Sequence, residues 1–152
     1  MIRIKRLLSP IDFSDSSKQA LRYAVEFARS FGAELHVLNV IEPVMYPAEM
    51  FGQIGMVDVE SVLEKSSREE IADWHKSFIP AEVRSVVEVL RGRPFAEIVR
   101  YAQEKEIDLI ILGTHGRSGL DHFLLGSTAE KVIRKAPCPV LTVRSTEREI
   151  VA

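Results

Sequence analysis

The chain has 152 residues, the length of one domain, and a domain of this size buries roughly 70% of the surface its unfolded chain exposes. It is 46% hydrophobic and 28% charged with a formal net charge of −2, and no basic run rises above scattered pairs such as Arg134 and Lys135, which argues against nucleic-acid binding. A single cysteine, Cys138, excludes an intrachain disulfide and a cysteine-rich metal site, and the apolar part of the opening stretch, about five residues, is too short for a signal core or a membrane span; a cytoplasmic protein is expected.

The first strand is RLLSPI, Arg6 to Ile11. Ala20, Leu21, Ala24, Val25, Ala28 and Phe31 then follow at three- and four-residue spacing, one face of a helix, with Ser16 and Gln19 at capping-box spacing before it and Gly32 suited to its end. ELHVLNVI, Glu34 to Ile41, is the second strand. Proline and glycine break up the stretch EPVMYPAEMFGQIGMV that follows, a long loop of the kind that serves as a lid. Helical spacing resumes with Val59, Val62, Leu63, Ile71, Trp74 and Phe78, although Ser66 and Ser67 interrupt the stripe; Trp74 and Phe78 are expected in the core.

Val83 to Leu90 reads as a third strand, and Pro94 as the first residue of a third helix. Asp108 to Thr114 is the fourth strand. A fourth helix begins near Ser127 with Ala129, Val132, Ile133 and Ala136 inward, Pro137 and Pro139 end it, and PVLTVRS is the fifth strand. Near-continuous apolar strands separated by helices predict a single α/β domain over residues 1–152, a doubly wound, mostly parallel five-stranded sheet of Rossmann-like type, order 3-2-1-4-5, with helices on both faces. Such a sheet takes its ligand outside the carboxyl ends of the strands, where the strand order reverses. Strand exits 1 and 4, PIDFSDS and a glycine-rich segment, meet there.

That segment, GTHGRSGLDHFLLGSTAEK, holds four of the chain's eight glycines. Gly113 and Gly116 frame a tight turn whose N–H groups can form an anion nest, and Gly126 with Ser127 opens a helix whose first amides point at anions. Neither GxxxxGK[ST] nor GxGxxG occurs, so phosphates would be held by backbone amides and hydroxyls. GRSGL lacks the frame of a nucleophile elbow around Ser118, and the paired acids and lysine of a receiver domain are missing. Simpler roles compete: Ser127 with Glu130 fits a structural cap, Asp12 fits a turn before the first helix, and Gly113 fits a close strand approach. His115 and His122 with Asp121 match no common zinc spacing, and His36 and His75 suit partly buried or surface positions.

Gly113, Gly116, Gly126 and Ser127 match the pattern G-x-x-G-(nine residues)-G-(S/T), flanked by PIDFSDSS, LNVIEP and STAEKVIRKAPCPVLTVR in order; the chain resembles the ATP-binding branch of the universal stress protein family over nearly its whole length. The resemblance implies that Asp12 and Val40 contact the adenosine part of ATP, and that Gly113, Gly116, Gly126 and Ser127 line the phosphate path. Pro10, Thr114, His115, Arg117 and Thr128 adjoin these positions and complete the expected set. It implies as cofactor ATP, or AMP or ADP, with Mg²⁺, a sensor or regulator in stress response, and a homodimer through the last strand, Val140 to Val143. No glutamate or glutamine falls between Gly113 and Ser127 to position a water, so at most slow hydrolysis is expected. A slow ATPase or self-phosphorylating protein, and an AMP-filled or nucleotide-free interaction module, are the alternatives.

Overall fold

A computed structural model describes residues 1–45, 56–115 and 125–145. Nine elements alternate: β1 (Arg6–Ile11), α1 (Asp15–Phe31), β2 (Glu34–Ile41), α2 (Met56–Phe78), β3 (Ser85–Arg91), α3 (Pro94–Glu104), β4 (Leu109–Gly113), α4 (Ser127–Lys135) and β5 (Val140–Val143). The strands form one sheet in the order β3-β2-β1-β4-β5, and every pairing is parallel. This is the expected topology.

Strand periodicity sorts the core into two layers. Leu7, Ile11, Leu35, Val37, Val89, Ile111 and Val143 face α1 and α2, where Leu21, Ala24, Val25 and Ile71 cover them. Leu8, Leu38, Ile110 and Leu112 face α3 and α4, where Ile98, Tyr101, Ala102, Ala129 and Val132 close the other side. Both faces are therefore dry, which explains why the strands read as apolar runs. Trp74 and Phe78 pack against the first layer, half-buried.

Local signals account for most boundaries. Gly32 stands at the α1 C-cap with φ 62°, the left-handed conformation glycine adopts without a Cβ clash, and Pro94 opens α3 where its missing N–H costs no hydrogen bond. The α1 cap itself differs from expectation: Ser14, not Ser16, is the N-cap, and its Oγ accepts from Ser17 N at 3.2 Å. The turn at Asp12 and Phe13 brings the chain into the helix two residues early and releases Ser16 for another contact. Val83 is buried but enters through a turn, its N–H donating to Pro80 O, so β3 starts at Ser85. Ile133 is 44% exposed, because the stripe Ala129, Val132 and Ala136 leaves it rotated about 100° from Val132.

The long stretch expected to be a lid falls largely on residues 46–55, outside the described set. Among the described residues no helix is long and apolar enough to cross a membrane.

Candidate functional site

Pro10 creates the opening. It sits in a central strand, where a residue without an N–H cannot continue a ladder. Pairing of β1 with β4 runs over Leu7↔Leu109 and Leu8↔Ile110, whereas β1 and β2 stay paired to Ile11↔Asn39. Beyond Leu8 the two inner strands part, at the point where chain order reverses. A cavity of about 570 Å³ lies there, a size suited to a small ligand.

Most of its wall comes from the strand exits and the start of α4. From the β1 exit come Pro10, Ile11, Asp12 and Phe13; from β2, Leu38, Asn39, Val40, Ile41 and Glu42; from β4 and α4, Leu112, Gly113, Thr114, His115, Gly126, Ser127, Thr128 and Ala129. Nine expected site residues, Pro10, Asp12, Val40, Gly113, Thr114, His115, Gly126, Ser127 and Thr128, thus share one cavity. Gly116 and Arg117, with Ser118, Asp121 and His122, lie outside the described residues.

The β1 exit is held from several sides. Ser14 donates from both its N–H, at 3.0 Å, and its hydroxyl to Asp12 Oδ1, while Asn39 Nδ2 donates to Ile11 O at 2.9 Å and so ties β2 to the base of the turn. Phe13 between them has φ 64°, rare for a bulky side chain.

At the β4 exit the chain leaves and returns at one point. Gly126 N–H donates to Thr114 O at 2.7 Å, which joins the start of α4 to the end of β4. Gly113 is not needed for a positive φ; instead a Cβ there would fall 2.4 Å from Ser16 Oγ and 2.7 Å from the Ser16 carbonyl carbon. The structural reading of this glycine therefore holds alongside its place in the wall: β4 rests directly on the first turn of α1. Ser16 Oγ accepts from His115 N at 3.3 Å and secures the contact.

α4 begins against the cavity with no side-chain cap: Gly126 is its N-cap, with φ −60° and ψ 150°, and Ser127 is its first residue rather than its cap. Glu130 N–H is the first to find an intrahelical carbonyl, Gly126 O. The amides before it belong to the helix end that attracts anions. His115 Nδ1 meets Thr114 Oγ1 at 2.9 Å, and its buried Nε2 has no hydrogen-bond partner among the described residues. The α4 amides thus share the cavity with apolar side chains such as Leu38, Val40 and Leu112. Among the described lining residues there is no lysine or arginine.

Several wall residues escaped sequence reasoning. Asn39, 6% exposed, interrupts the otherwise apolar run HVLNVI, and that polar break was the available signal. Leu63 and Ser67 of α2 also line the cavity, which gives the interrupted stripe of that helix a reason. The other two described histidines lie elsewhere: His75 Nε2 pairs with Ser85 Oγ at 2.7 Å, and His36 is buried on β2.

Comparison with known proteins agrees with this architecture. The Universal stress protein family profile matches residues 3–144. Universal stress protein MJ0531 of Methanocaldococcus jannaschii is 36% identical over 148 residues, covering 95% of this chain and 85% of the relative. The solved structure of MJ0577 from the same organism superposes with a TM-score of 0.81 at 27% identity, over 97% of this chain and all of that one. An Archaeoglobus fulgidus universal stress protein, solved in complex with dAMP, gives a TM-score of 0.62 at 26% identity, over 94% of this chain and 99% of its own. The chain belongs to the universal stress protein family.

Proposed function

We propose that the cavity binds an adenine nucleotide, ATP with Mg²⁺, and that the protein is a nucleotide-responsive regulator rather than a fast enzyme. The observation that carries this reading is the convergence of the α4 first-turn amides, the Asp12 turn and the Val40 segment on one cavity. Adenine would lie against Val40, ribose at Asp12, and phosphates toward Gly113, Gly126, Ser127 and Thr128. Thr114 and the His115 ring edge, whose Nε2 has no partner among the described residues, would adjoin the phosphates. Gly116 and Arg117 belong to the same proposed set. Mg²⁺ keeps most of its ligands as waters and phosphate oxygens, so it needs few from the protein.

Affinity should be roughly micromolar, about −8 kcal/mol. Calorimetry on protein stripped of ligand tests it: ATP·Mg²⁺ should release heat and, at about a hundredfold excess over its Kd, stabilise the fold by about 2.7 kcal/mol, with GTP doing less. Absence of both heat and melting shift at millimolar ATP would contradict the reading. Hydrolysis should stay below about one turnover per minute, against ~1–100 per second for kinases.

A monophosphate occupant is the second reading. The dAMP held by the Archaeoglobus fulgidus relative favours it. Mass spectrometry of ligand released from protein purified without added nucleotide separates AMP from ATP.

A homodimer is proposed on the β5 edge. Val140 and Leu141 are half-buried on an outermost strand whose free backbone groups invite pairing, and a second copy running antiparallel about a twofold axis would cover them. Thr142→Pro, whose N–H points away from β4, should yield monomers in light scattering; a wild type that is monomeric at high micromolar concentration would refute the pairing.

A further inference from the structure

We propose that Phe13 is a positioning residue for Asp12, holding the β1 exit in a left-handed turn by anchoring its ring on Trp74; this rests on the nucleotide reading above and extends it to the helix layer behind the cavity. Phe13 has φ 64°, a conformation that favours glycine and is unfavourable for a bulky side chain. The Asp12 side chain closes across that residue, accepting from the N–H and hydroxyl of Ser14. Backbone sign at residue 13 and carboxylate direction at residue 12 are thereby linked.

A side chain in this conformation persists only where its surroundings overdetermine it. Here the surroundings are aromatic. The Phe13 ring meets Trp74 edge-on with centroids 5.3 Å apart and planes at 84°, and Trp74 meets Phe78 in the same way at 5.5 Å and 79°. Both partners belong to α2, the helix whose Leu63 and Ser67 line the cavity. One helix therefore borders the site and clamps the turn that carries its carboxylate. Packing alone would not require a left-handed backbone at a cavity wall.

The test is calorimetric titration of ATP·Mg²⁺ into wild type, Phe13→Ala and Phe13→Gly, each with and without Asp12→Ala. Phe13→Ala loses the anchor while the left-handed backbone stays unfavourable, and should weaken ATP about tenfold; Phe13→Gly loses the anchor but adopts the backbone freely, and should weaken it roughly threefold. In the Asp12→Ala background both should change affinity by less than about twofold, since their effect passes through the carboxylate. Trp74 is the single tryptophan, so its emission should shift when ATP enters the wild type and stay unchanged in Phe13→Gly. Equal affinity in wild type and both variants, or full additivity with Asp12→Ala, overturns the proposal. If Phe13→Ala fails to fold, Phe13→Gly carries the same comparison. If the wild type binds no ATP, the nucleotide reading falls, and the positioning role is judged without ligand: exchange of the Ser14 amide should quicken about tenfold in Phe13→Ala relative to wild type, and equal exchange refutes it.

Discussion

Two histidines, one at each end of the sheet, are built in opposite ways. His36, near the amino end of β2, is buried with both ring nitrogens engaged, Nδ1 with Tyr101 Oη at 2.9 Å and Nε2 with Glu34 Oε1 at 3.0 Å. His115, past the carboxyl end of β4, has Nδ1 on Thr114 and a buried Nε2 with no partner among the described residues. The surroundings repeat the contrast. At the amino end Asp108 Oδ2 accepts from Lys5 N and Arg6 N, and Arg6 Nη1 donates to Lys105 O and Glu106. At the carboxyl end the α4 amides start uncapped and Phe13 is held in a left-handed backbone. Polar groups that satisfy one another stabilise; those left waiting are suited to a ligand.

The sharpest way to break this contrast is Gly113→Ala, because that glycine serves both fold and wall. The added Cβ meets Ser16 backbone, which cannot yield as a side-chain tip can. Stability should fall by about 1–3 kcal/mol, a Tm drop of roughly 2–12 °C. An unchanged melting temperature would mean that β4 does not press on α1 as described.

Next comes Asp12→Ala, which should weaken ATP about tenfold, 1.4 kcal/mol, while the ligand-free melting temperature moves little. Equal affinity by calorimetry would put the nucleotide elsewhere. Asp108→Ala should do the converse. Loss of its two bonds to the β1 entrance, one exposed and one half-buried, should cost about 1 kcal/mol in denaturant unfolding and leave ATP affinity intact. A loss of affinity there would erase the distinction between the two ends.

The smallest effect is a pH slope. Burial, the largest influence, pulls His36 below its ordinary value of 6.5; the Glu34 carboxylate opposes, and Arg6 and Lys105 add to the lowering. The unfolded chain therefore takes up this proton first as pH falls. The contribution of neutral His36 is complete above about pH 6.5 and is lost from there down through its folded value. Its partner Tyr101 is pushed up to about 12, chiefly by burial, so stability should also erode as pH rises past 10. Unfolding curves from pH 7.5 to 5 should show the acid slope, and His36→Gln should flatten it; an unflattened slope would assign it to other groups.

How far the sequence carried this account depended on the range of the interactions. β1 and β2 were legible to the residue because burial on both faces leaves uninterrupted apolar runs, and Gly32 and Pro94 act through their own backbone geometry. Topology brought strand exits 1 and 4 together, and the family resemblance supplied the individual wall residues, Val40 on β2 among them. What stayed hidden was set by tertiary contact. DFSDSS offers several competent caps, and the choice of Ser14 follows from the turn at Phe13, where an aromatic gives no hint of a positive φ. The role of Gly113 depends on Ser16, nearly a hundred positions away, and the bond from Asn39 to Ile11 depends on strand register.

The most direct test of a carboxyl-end nucleotide site is an amide chemical-shift titration of the stripped protein with ATP·Mg²⁺. Shifts should concentrate at Asp12, Val40, Gly113, Thr114, His115, Ser127 and Thr128, with Lys5, Arg6, His36 and Asp108 unmoved. Shifts centred on the amino-end group, or none anywhere at millimolar ATP, would contradict the account.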